Sequence, residues 1–576
     1  MTPPQLNPHT DTRPDPRRHS RTQATQARHD FHHPDRAADS QRQFCQQTGV
    51  PRTTFQHWLR QAQHTDLQSE VVAFFESPVG YDFLRRLLLA LHLDFHLAGP
   101  AGIRVLCSFL KRTRLDHFVA ASYGSQQALA VHLQTLLITY ADEEKQRLGA
   151  VMPPKQITVC ADENFHGQQA CLVAVEPASN FLVLEAYQPH RAGSTWTAAI
   201  QQAVHDLPVT VIQVTSDQAK GLVACARDGL EAQHTPDLFH GQRDLSQATS
   251  LPLQRQVEAA QQALDHAQAR TAAQRQAQQQ YQDGPRPPGR PPDFATNLRL
   301  AESFERYAAL TLEQCQQRQE QARTAIRGVA DDYHPFDAAS GRPVTATAVD
   351  QRLQGRLQAV TVIVTAAGLG AGSQASLAQA RRWLVPVVAS LAWFWEMVVE
   401  LESELKLTAA GRRAWREQLL PGLYWEREAL RGRDAAQKQQ RRALSESLLA
   451  AARSPTSVLG QLPAAELAAV TRVAAAAVEL FVRSSSCVEG RNGRLALHHH
   501  GQGPLSDLRL RGLTAVHNYV VERSDGTTAA ERFFGAKPRA VFECLLAGMP
   551  ELPRPVRKRS AASAAATAEA KGWPKP

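Results

Sequence analysis

The chain has 576 residues, a formal net charge of +9 and 43% hydrophobic residues, which suits a soluble protein of several domains and favours a polyanionic partner such as DNA. Its eight cysteines are scattered without a CxxC pair, which excludes a zinc framework or a disulfide-rich module of the usual spacing. The N-terminal stretch lacks the apolar core of a signal peptide, and the most apolar run, Trp383 to Trp395, is too short to span a bilayer. We therefore expect a cytoplasmic protein without a membrane anchor.

Composition and periodicity divide the chain into seven segments. Both ends are predicted to be disordered, because the first is almost free of apolar residues and the last is basic and of low complexity. The predicted segments are a tail (1–37), a helix-turn-helix (38–63), a helical domain (64–152), the first part of an α/β core (153–248), an all-α insertion (249–479), the completion of that core (480–548) and a basic tail (549–576).

The stretch SQRQFCQQTGVPRTTFQHWLRQ predicts a helix-turn-helix. Gly49 suits a turn with positive φ, and the fixed φ of Pro51 suits the start of the second helix. The residues expected between the two helices are Phe44, Cys45, Val50, Phe55 and Trp58. The residues expected to face DNA bases and phosphates are Arg52, Thr53, Thr54, Gln56 and His57. The alternative is an αα-corner inside a core.

The segment from Gln156 to Gln233 predicts alternating strands and helices. ITVCAD, QACLVAVEP and NFLVLEAYQP indicate three strands, and STWTAAIQQAVHDL indicates a helix. VTVIQVTSD indicates a fourth strand that is buried on both faces, because its apolar residues do not alternate cleanly. AKGLVACARDGLEAQ returns to helix, so the predicted order is β-β-β-α-β-α.

Asp162 ends the first predicted strand and Asp217 ends the fourth. If these strands are parallel neighbours, their axes lie about 4.8 Å apart and both carboxylates can reach one cation. Mg²⁺ is the usual partner of such oxygens, and a third carboxylate would complete a two-metal site. The alternative is that each aspartate is an ordinary strand-end acid.

The strand order, together with ADENF and TSDQAKGL, resembles the RNase H-like core of DDE transposases from bacterial insertion sequences. The resemblance covers about residues 156–248 and 480–540, and it matches the insertion only in kind. It implies a mixed-sheet α/β core interrupted by a large all-α insertion, behind an N-terminal helix-turn-helix and helical domain. The family's third acid lies on a helix, and Glu489 in VEGRN is the best candidate, with Glu466 and Glu479 as competitors.

The resemblance also implies cofactors and further site residues. Two Mg²⁺ ions, with Mn²⁺ as a substitute, would be held by Asp162, Asp217 and Glu489. PDLFHGQRDL is similar to a (C/D)xxH element of several such groups, so His240 would orient the scissile phosphate; alternatively it caps a helix or packs in the core. The candidates for DNA contact beside the third acid are Arg491, Asn492 and Arg494, which could equally form a solvated helix face.

By this resemblance the protein is a DNA transposase that cleaves at element ends and transfers the 3′-OH strand into target DNA. Its partners would be double-stranded element ends and target DNA, it would associate with the nucleoid, and joining two ends would require a homodimer or higher oligomer. Two alternatives stay open: a catalytically silent DNA-binding protein derived from a transposase, and an RNase H-fold nuclease without strand transfer.

The insertion is predicted to contain a helical hairpin whose arms are joined by the extended loop GPRPPGRPPDF, since proline cannot continue a helix. This loop is interpreted as a stiff linker rather than a minor-groove hook. The five tryptophans of the insertion are interpreted as core residues, with stacking on an unstacked base as the alternative. The consecutive histidines His498, His499 and His500 are predicted to lie in a polar loop, because neighbouring residues cannot all face one metal ion.

Overall fold

The computed structural model describes residues 20–33, 40–62, 67–166, 169–286, 288–502 and 505–555. Most of the two predicted disordered tails, residues 1–19, 34–37 and 556–576, lies outside the described residues.

The N-terminal unit contains three short helices. They are α1 (Arg21–His32), α2 (Gln41–Thr48) and α3 (Arg52–Ala62). Gly49 ends α2 with a φ of 68°, as predicted for the turn, and α3 begins immediately after Pro51. The side chains of Phe44, Phe55 and Trp58 are buried together, so the predicted contact between the two helices is confirmed.

Helix α1 differs from the prediction, which assigned its residues to a disordered tail. Ser20 and Gln23 form a capping box at its start. Ala24, Ala27 and Phe31 lie on one helical face and pack against the aromatic core of α2 and α3. The low apolar content of this segment suggested disorder, but three apolar residues at helical spacing are enough to cover a small core.

Between the N-terminal unit and the sheet, the described residues form four α-helices: α4 (Ser69–Phe75), α5 (Pro78–Ala90), α6 (Ile103–Arg112) and α7 (Tyr123–Gly149). A π-helical segment, Leu91–Ala98, continues α5, and a 3₁₀ turn, Leu115–His117, follows α6. The buried residues of these helices share one hydrophobic core with the sheet and with the C-terminal helices. The predicted boundary at 152/153 therefore does not separate two cores.

A five-stranded mixed sheet forms the centre of the fold. Its elements in chain order are β1 (Lys155–His166), β2 (Gln169–Glu176), β3 (Phe181–Gln188), α8 (Gly193–Val204), β4 (Val209–Ser216), α9 (Lys220–Ala224), the π-helical turn Cys225–Gly229 and β5 (Gln233–Pro236). The strand order is β3-β2-β1-β4-β5. β2 is antiparallel to both of its neighbours, β1 and β3, whereas β4 pairs in parallel with β1 and with β5. The six predicted elements are thus present.

Strand β5 was not predicted. Its four residues, QHTP, contain no apolar side chain apart from the proline ring, so they lack the usual strand pattern. The strand forms because Gln213 to Ser216 of β4 offer an unpaired edge, with which β5 aligns in parallel. His234 and Thr235 are buried as a result.

The insertion is all-α, as predicted. Its helices are α10 (Leu238–Asp283), α11 (Phe294–Asp332), α12 (Ala346–Ala366), α13 (Ala371–Glu404), α14 (Ala409–Ala414), α15 (Leu420–Leu430), α16 (Ala435–Arg453) and α17 (Ala464–Glu479), with a π-helical turn at Trp415–Leu419. Helices α10 and α11 pack against each other as the expected hairpin, and the proline-rich loop joins them. Because α10 begins directly after β5 and runs without a break, the predicted boundary at 248/249 falls inside one helix.

The tryptophans of the insertion mostly serve its core. Trp383, Trp415 and Trp425 are buried in one cluster, which confirms the core interpretation for these three. Trp383 lies on α13, the one helix in the described residues that is long and apolar enough to cross a membrane by length and composition, with a mean hydropathy of 1.6. Leu391 and Phe394 of the same helix are also in this core, and 28% of the most apolar window of the helix is buried.

Four helices complete the structure: α18 (Ser486–Gln502), α19 (Asp507–Tyr519), α20 (Ala529–Phe534) and α21 (Val541–Gly548). Helix α18 extends through His498–His500, where a loop was predicted, because His498 is buried and continues the inward helical face. Helix α19 covers the edge strand β3, where the Asn518 amide bonds both the N–H and the carbonyl of Leu182. Such covering blocks pairing with further strands.

We predict that Phe55→Ala destabilises the N-terminal unit, α1 to α3, without destabilising the sheet. The fully buried Phe55 ring packs against Phe31, Phe44 and Trp58, and its loss should cost about 3–5 kcal/mol. Hydrogen–deuterium exchange should accelerate in α1 to α3 and stay unchanged in the sheet, because the two cores are separate. His57→Ala, on the exposed side of α3, is the control. Equal acceleration in the sheet would contradict a separate unit.

Candidate functional site

The structure makes β1 and β4 parallel neighbours, which is the condition under which Asp162 and Asp217 could reach one cation. Cys160 of β1 is paired with Thr215 of β4. Each aspartate lies two residues beyond this pair, Asp162 within β1 and Asp217 directly after the end of β4. The two carboxylates therefore lie at the same end of the two strands, beyond the last position at which β1 pairs with β4.

Burial and like charge act together on Asp162. Burial is the larger cause and the charge of Asp217 the next, and they raise the pKa of Asp162 to about 6. The backbone N–H of Glu163 donates to the Asp162 carboxylate at 2.9 Å and acts in the opposite direction, as does the charge of His240. Asp162 is thus an acid whose ionised form lacks a sufficient counter-charge in the protein.

The loop after β4 fixes the position of Asp217. Its Oδ1 accepts the N–H of Ala219 at 2.9 Å, and its carbonyl accepts the Ser216 hydroxyl at 2.8 Å. His234 Nε2 lies 3.0 Å from the Ser216 Oγ and 3.3 Å from the same carbonyl. Burial lowers the pKa of His234 to about 4, so this histidine is a neutral donor near neutral pH.

Helix α18 covers the sheet face that carries Asp162. Side chains alternate along a strand, so Asp162 shares its face with Cys160, which packs in the cluster under α18. The Cys160 thiol contacts that of Cys487 and donates to the Ser484 carbonyl at 3.8 Å. Glu489 lies two residues after Cys487, in the first turn of α18, where its side chain is exposed.

Glu489, the predicted third acid, does not form a three-carboxylate group with Asp162 and Asp217 among the described residues. In the part of the chain that the structure describes, no group of three or more His, Cys, Asp or Glu side chains is arranged closely enough to hold a metal ion. The competitors Glu466 and Glu479 lie on α17, within the insertion. Glu479 is 3.6 Å from Arg427. The role of Glu489 therefore stays a prediction.

Asp237 and His240 have different environments. Asp237 is fully buried; its carboxylate caps α10 through the N–H of Phe239 at 2.8 Å and accepts the N–H of Ser485 at 3.0 Å, along with the Ser485 hydroxyl. It therefore ties the start of α10 to the segment that leads into α18. His240 is half-buried in the first turn of α10, close enough for its charge to lower the pKa of Asp162.

Residues 482–485, the connecting segment between the insertion and α18, are anchored by a buried ion pair. The Arg483 guanidinium pairs with Glu428 of α15 and donates to the Ala330 carbonyl of α11 at 3.0 Å. Burial opposes the charge of Glu428, but Arg483 and its neighbours hold the pKa of that carboxyl well below its usual range. The Arg483 carbonyl accepts the N–H of Leu238 at 2.9 Å. Sequence reasoning missed this pair, because nothing local links positions 428 and 483.

The three predicted DNA contacts on α18 differ in how far their side chains are buried. Arg491 is buried and forms a two-point ion pair with Glu185 of β3, with N–O distances of 2.7 and 2.6 Å, so its guanidinium fastens α18 to the sheet instead of facing DNA. Asn492 is half-buried and Arg494 is exposed. Of these three predicted contacts, only Arg494 presents an exposed side chain.

On the predicted recognition helix, exposure follows the expected side. Arg52, Thr53 and His57 of α3 are exposed, and Thr54 and Gln56 are half-buried. These side chains lie opposite the face that packs on α2. Their contact with DNA stays a prediction.

A family model described as "Family of unknown function (DUF6399)" matches residues 415–561. The match covers about a quarter of the chain. It includes Glu428, Arg483 and Glu489, and it excludes Asp162 and Asp217. No curated protein and no solved structure matches significantly.

The raised pKa of Asp162 predicts that metal-free protein loses folding stability as the pH rises. Its pKa is about 6 in the folded chain and about 3.9 when unfolded, so the folded state binds more protons between these values and loses stability as pH rises through them. In EDTA, Asp162→Asn should therefore raise the free energy of unfolding by about 1–3 kcal/mol above pH ~7, after allowance for partial exposure. Below pH ~4 the difference should vanish.

Urea denaturation across this pH range measures the effect. Asp265→Asn, on the exposed side of α10, controls for the loss of one negative charge. A stability difference for Asp162→Asn that does not change with pH would contradict the assigned electrostatic strain.

Proposed function

We propose that the chain is a DNA transposase of the DDE type, which cleaves DNA at element ends and transfers the resulting 3′-OH strand into target DNA. The observation that carries the proposal is the placement of Asp162 and Asp217 at one edge of neighbouring parallel strands. The pKa of Asp162, raised by burial and by the charge of Asp217, is what two carboxylates arranged for a shared cation would show without it.

The sheet supports an RNase H-like assignment of the core. Three antiparallel strands lead into two parallel ones, in the order β3-β2-β1-β4-β5. The first acid is on the central strand and the second follows its parallel neighbour. The helical insertion leaves the core after β5 and returns at α18, which bears the third candidate acid.

The donor set fits a hard divalent cation. Asp162 and Asp217 would hold Mg²⁺, or Mn²⁺ in its place, and Glu489 would complete a site for two ions. When bound, such ions supply charge stabilisation at the phosphodiester oxygens and a water of lowered pKa. His240, whose charge acts on Asp162, would orient the scissile phosphate from the first turn of α10.

The N-terminal unit would supply recognition of the element ends. Its α3 exposes Arg52, Thr53 and His57, and α1 completes a three-helix unit of the kind that places a recognition helix in the major groove. Arg28 of α1 bonds the Trp58 carbonyl and pairs with Glu76, which fastens this unit to the helices that precede the sheet. Since two ends must be joined, we propose a homodimer or larger assembly on DNA.

We predict that replacement of either strand-borne acid abolishes DNA joining. Purified protein with Mg²⁺ or Mn²⁺ is incubated with labelled DNA carrying both ends of its own genetic element, and excised and joined products are separated on a gel. Asp162→Asn and Asp217→Asn should each lower cleavage by at least about 100-fold, because each removes a charge that offsets the cation and stabilises the transition state. Glu489→Gln should have a similar effect.

Glu466→Gln and Glu479→Gln are matched controls, because both remove an acid that the sequence offered as an alternative third ligand. Loss of cleavage in Glu479→Gln but not in Glu489→Gln would overturn the assignment of the third acid. Cleavage without joined species would indicate a nuclease, and specific binding of the ends without cleavage under either metal would indicate a DNA-binding protein.

A further inference from the structure

An open groove adjoins the loop that holds Asp217. It has a volume of about 490 Å³, and its walls come from both the α/β core and the insertion. The core contributes the residue after Asp217, Gln218, together with α9, the π-helical turn that follows it and His234 of β5. The insertion contributes α13 through Arg382 and Pro386. The groove therefore exists only where the insertion packs on the core.

Three cationic side chains line this groove: Lys220, Arg227 and Arg382. All three are exposed, and none of them forms an ion pair within the described residues. Asp228 is the one acid in the lining. Three cations gathered from separate elements outnumber the single carboxylate in the lining, and such a surplus of positive charge favours a polyanion.

Close packing fixes the position of Arg382. The next residue, Trp383, is buried, and its indole N–H donates to the Asp237 carbonyl at 3.1 Å. Its ring lies against Gly241 so closely that a Cβ at that position would be 2.5 Å from the ring. Helix α13 is thereby held against the start of α10, and Arg382 is carried to the side of the Asp217 loop.

We propose that this groove binds the phosphate backbone of duplex DNA beside the cleavage site. The proposal rests on the proposed function, because it assigns the groove next to Asp217 to the DNA that the core would cut. Lys220, Arg227 and Arg382 bind phosphates, which carry no base sequence, so the contact adds affinity and positions the duplex without reading it. The insertion thus supplies part of the DNA-binding surface.

The salt dependence of DNA binding tests this proposal. The full-length variant Lys220→Gln/Arg227→Gln/Arg382→Gln is titrated with a fluorescein-labelled duplex of mixed sequence, in EDTA, between about 50 and 200 mM salt. Each lost phosphate contact lowers the slope of log K against log salt concentration by about 0.9. The variant should therefore bind at least about tenfold more weakly at low salt, with a slope smaller by about 2–3.

Arg412→Gln/Arg413→Gln/Lys438→Gln is the matched control, since it removes the same charges from exposed positions on α14 and α16. A slope equal to that of this control would overturn the proposal, as would a larger effect on the same duplex made of RNA. The assay contains no metal and scores no cleavage. A changed slope would therefore support the groove even if the chain cut no DNA, and an unchanged slope would leave the role of Asp162 and Asp217 intact.

Discussion

The parallel pairing of β1 with β4 is the constraint on which the candidate site depends. It places two carboxylates, Asp162 and Asp217, at one sheet edge, where burial and like charge oppose the ionisation of Asp162. Within the described residues, neither carboxylate forms an ion pair that would relieve this cost. Hydrogen bonds instead fix the Asp217 loop, through Ala219 and the neutral His234. A site that holds two acids close together and leaves Asp162 without sufficient counter-charge is suited to an external cation, which is the basis of the proposed chemistry.

The insertion is part of this site rather than an appendage. Asp237 connects the start of α10 to Ser485, and Arg483 connects the segment before α18 to the buried Glu428. Breaking one partner of such a buried pair is costly, because the other charge stays desolvated. These contacts set where α18, and with it Glu489, meets the sheet. The matched family model spans both Glu428 and Arg483, so the anchoring of this segment lies within one continuous stretch of recognisable sequence.

Local pattern was enough to predict much of the fold. Strands β1 to β4 carry runs of β-branched and apolar residues, and Gly49 marks the turn of the helix-turn-helix. What local pattern could not reveal depends on contacts with other elements. Strand β5 exists because β4 offers it an edge, and α1 is stabilised as a helix because three small or aromatic residues pack on the core of α2 and α3.

The candidate site was predictable to the same extent. Asp217 follows the end of β4 as predicted, whereas β1 continues past Asp162 to His166, so the predicted strand end at Asp162 was wrong. Arg491 was expected to face DNA and instead pairs with Glu185, 306 residues away in the chain. No local feature of VEGRN separates a buried arginine from an exposed one. Glu489 is the opposite case: its helix lies on the sheet face that carries Asp162, and its side chain is exposed. The sequence could propose a third acid, but its distance from the pair depends on tertiary packing.

Direct measurement of metal binding tests the central claim that Asp162 and Asp217 together hold a divalent cation. Isothermal titration of the full-length protein with Mn²⁺ near pH ~7.5, where Asp162 is ionised because the pH lies above its pKa, should show saturable binding that weakens as the pH falls through that pKa. Asp217→Asn should abolish that binding, and Asp265→Asn should preserve it. Identical Mn²⁺ isotherms for the unaltered chain and Asp217→Asn would contradict the account, because the pair would then be two strand-end acids without a shared ligand.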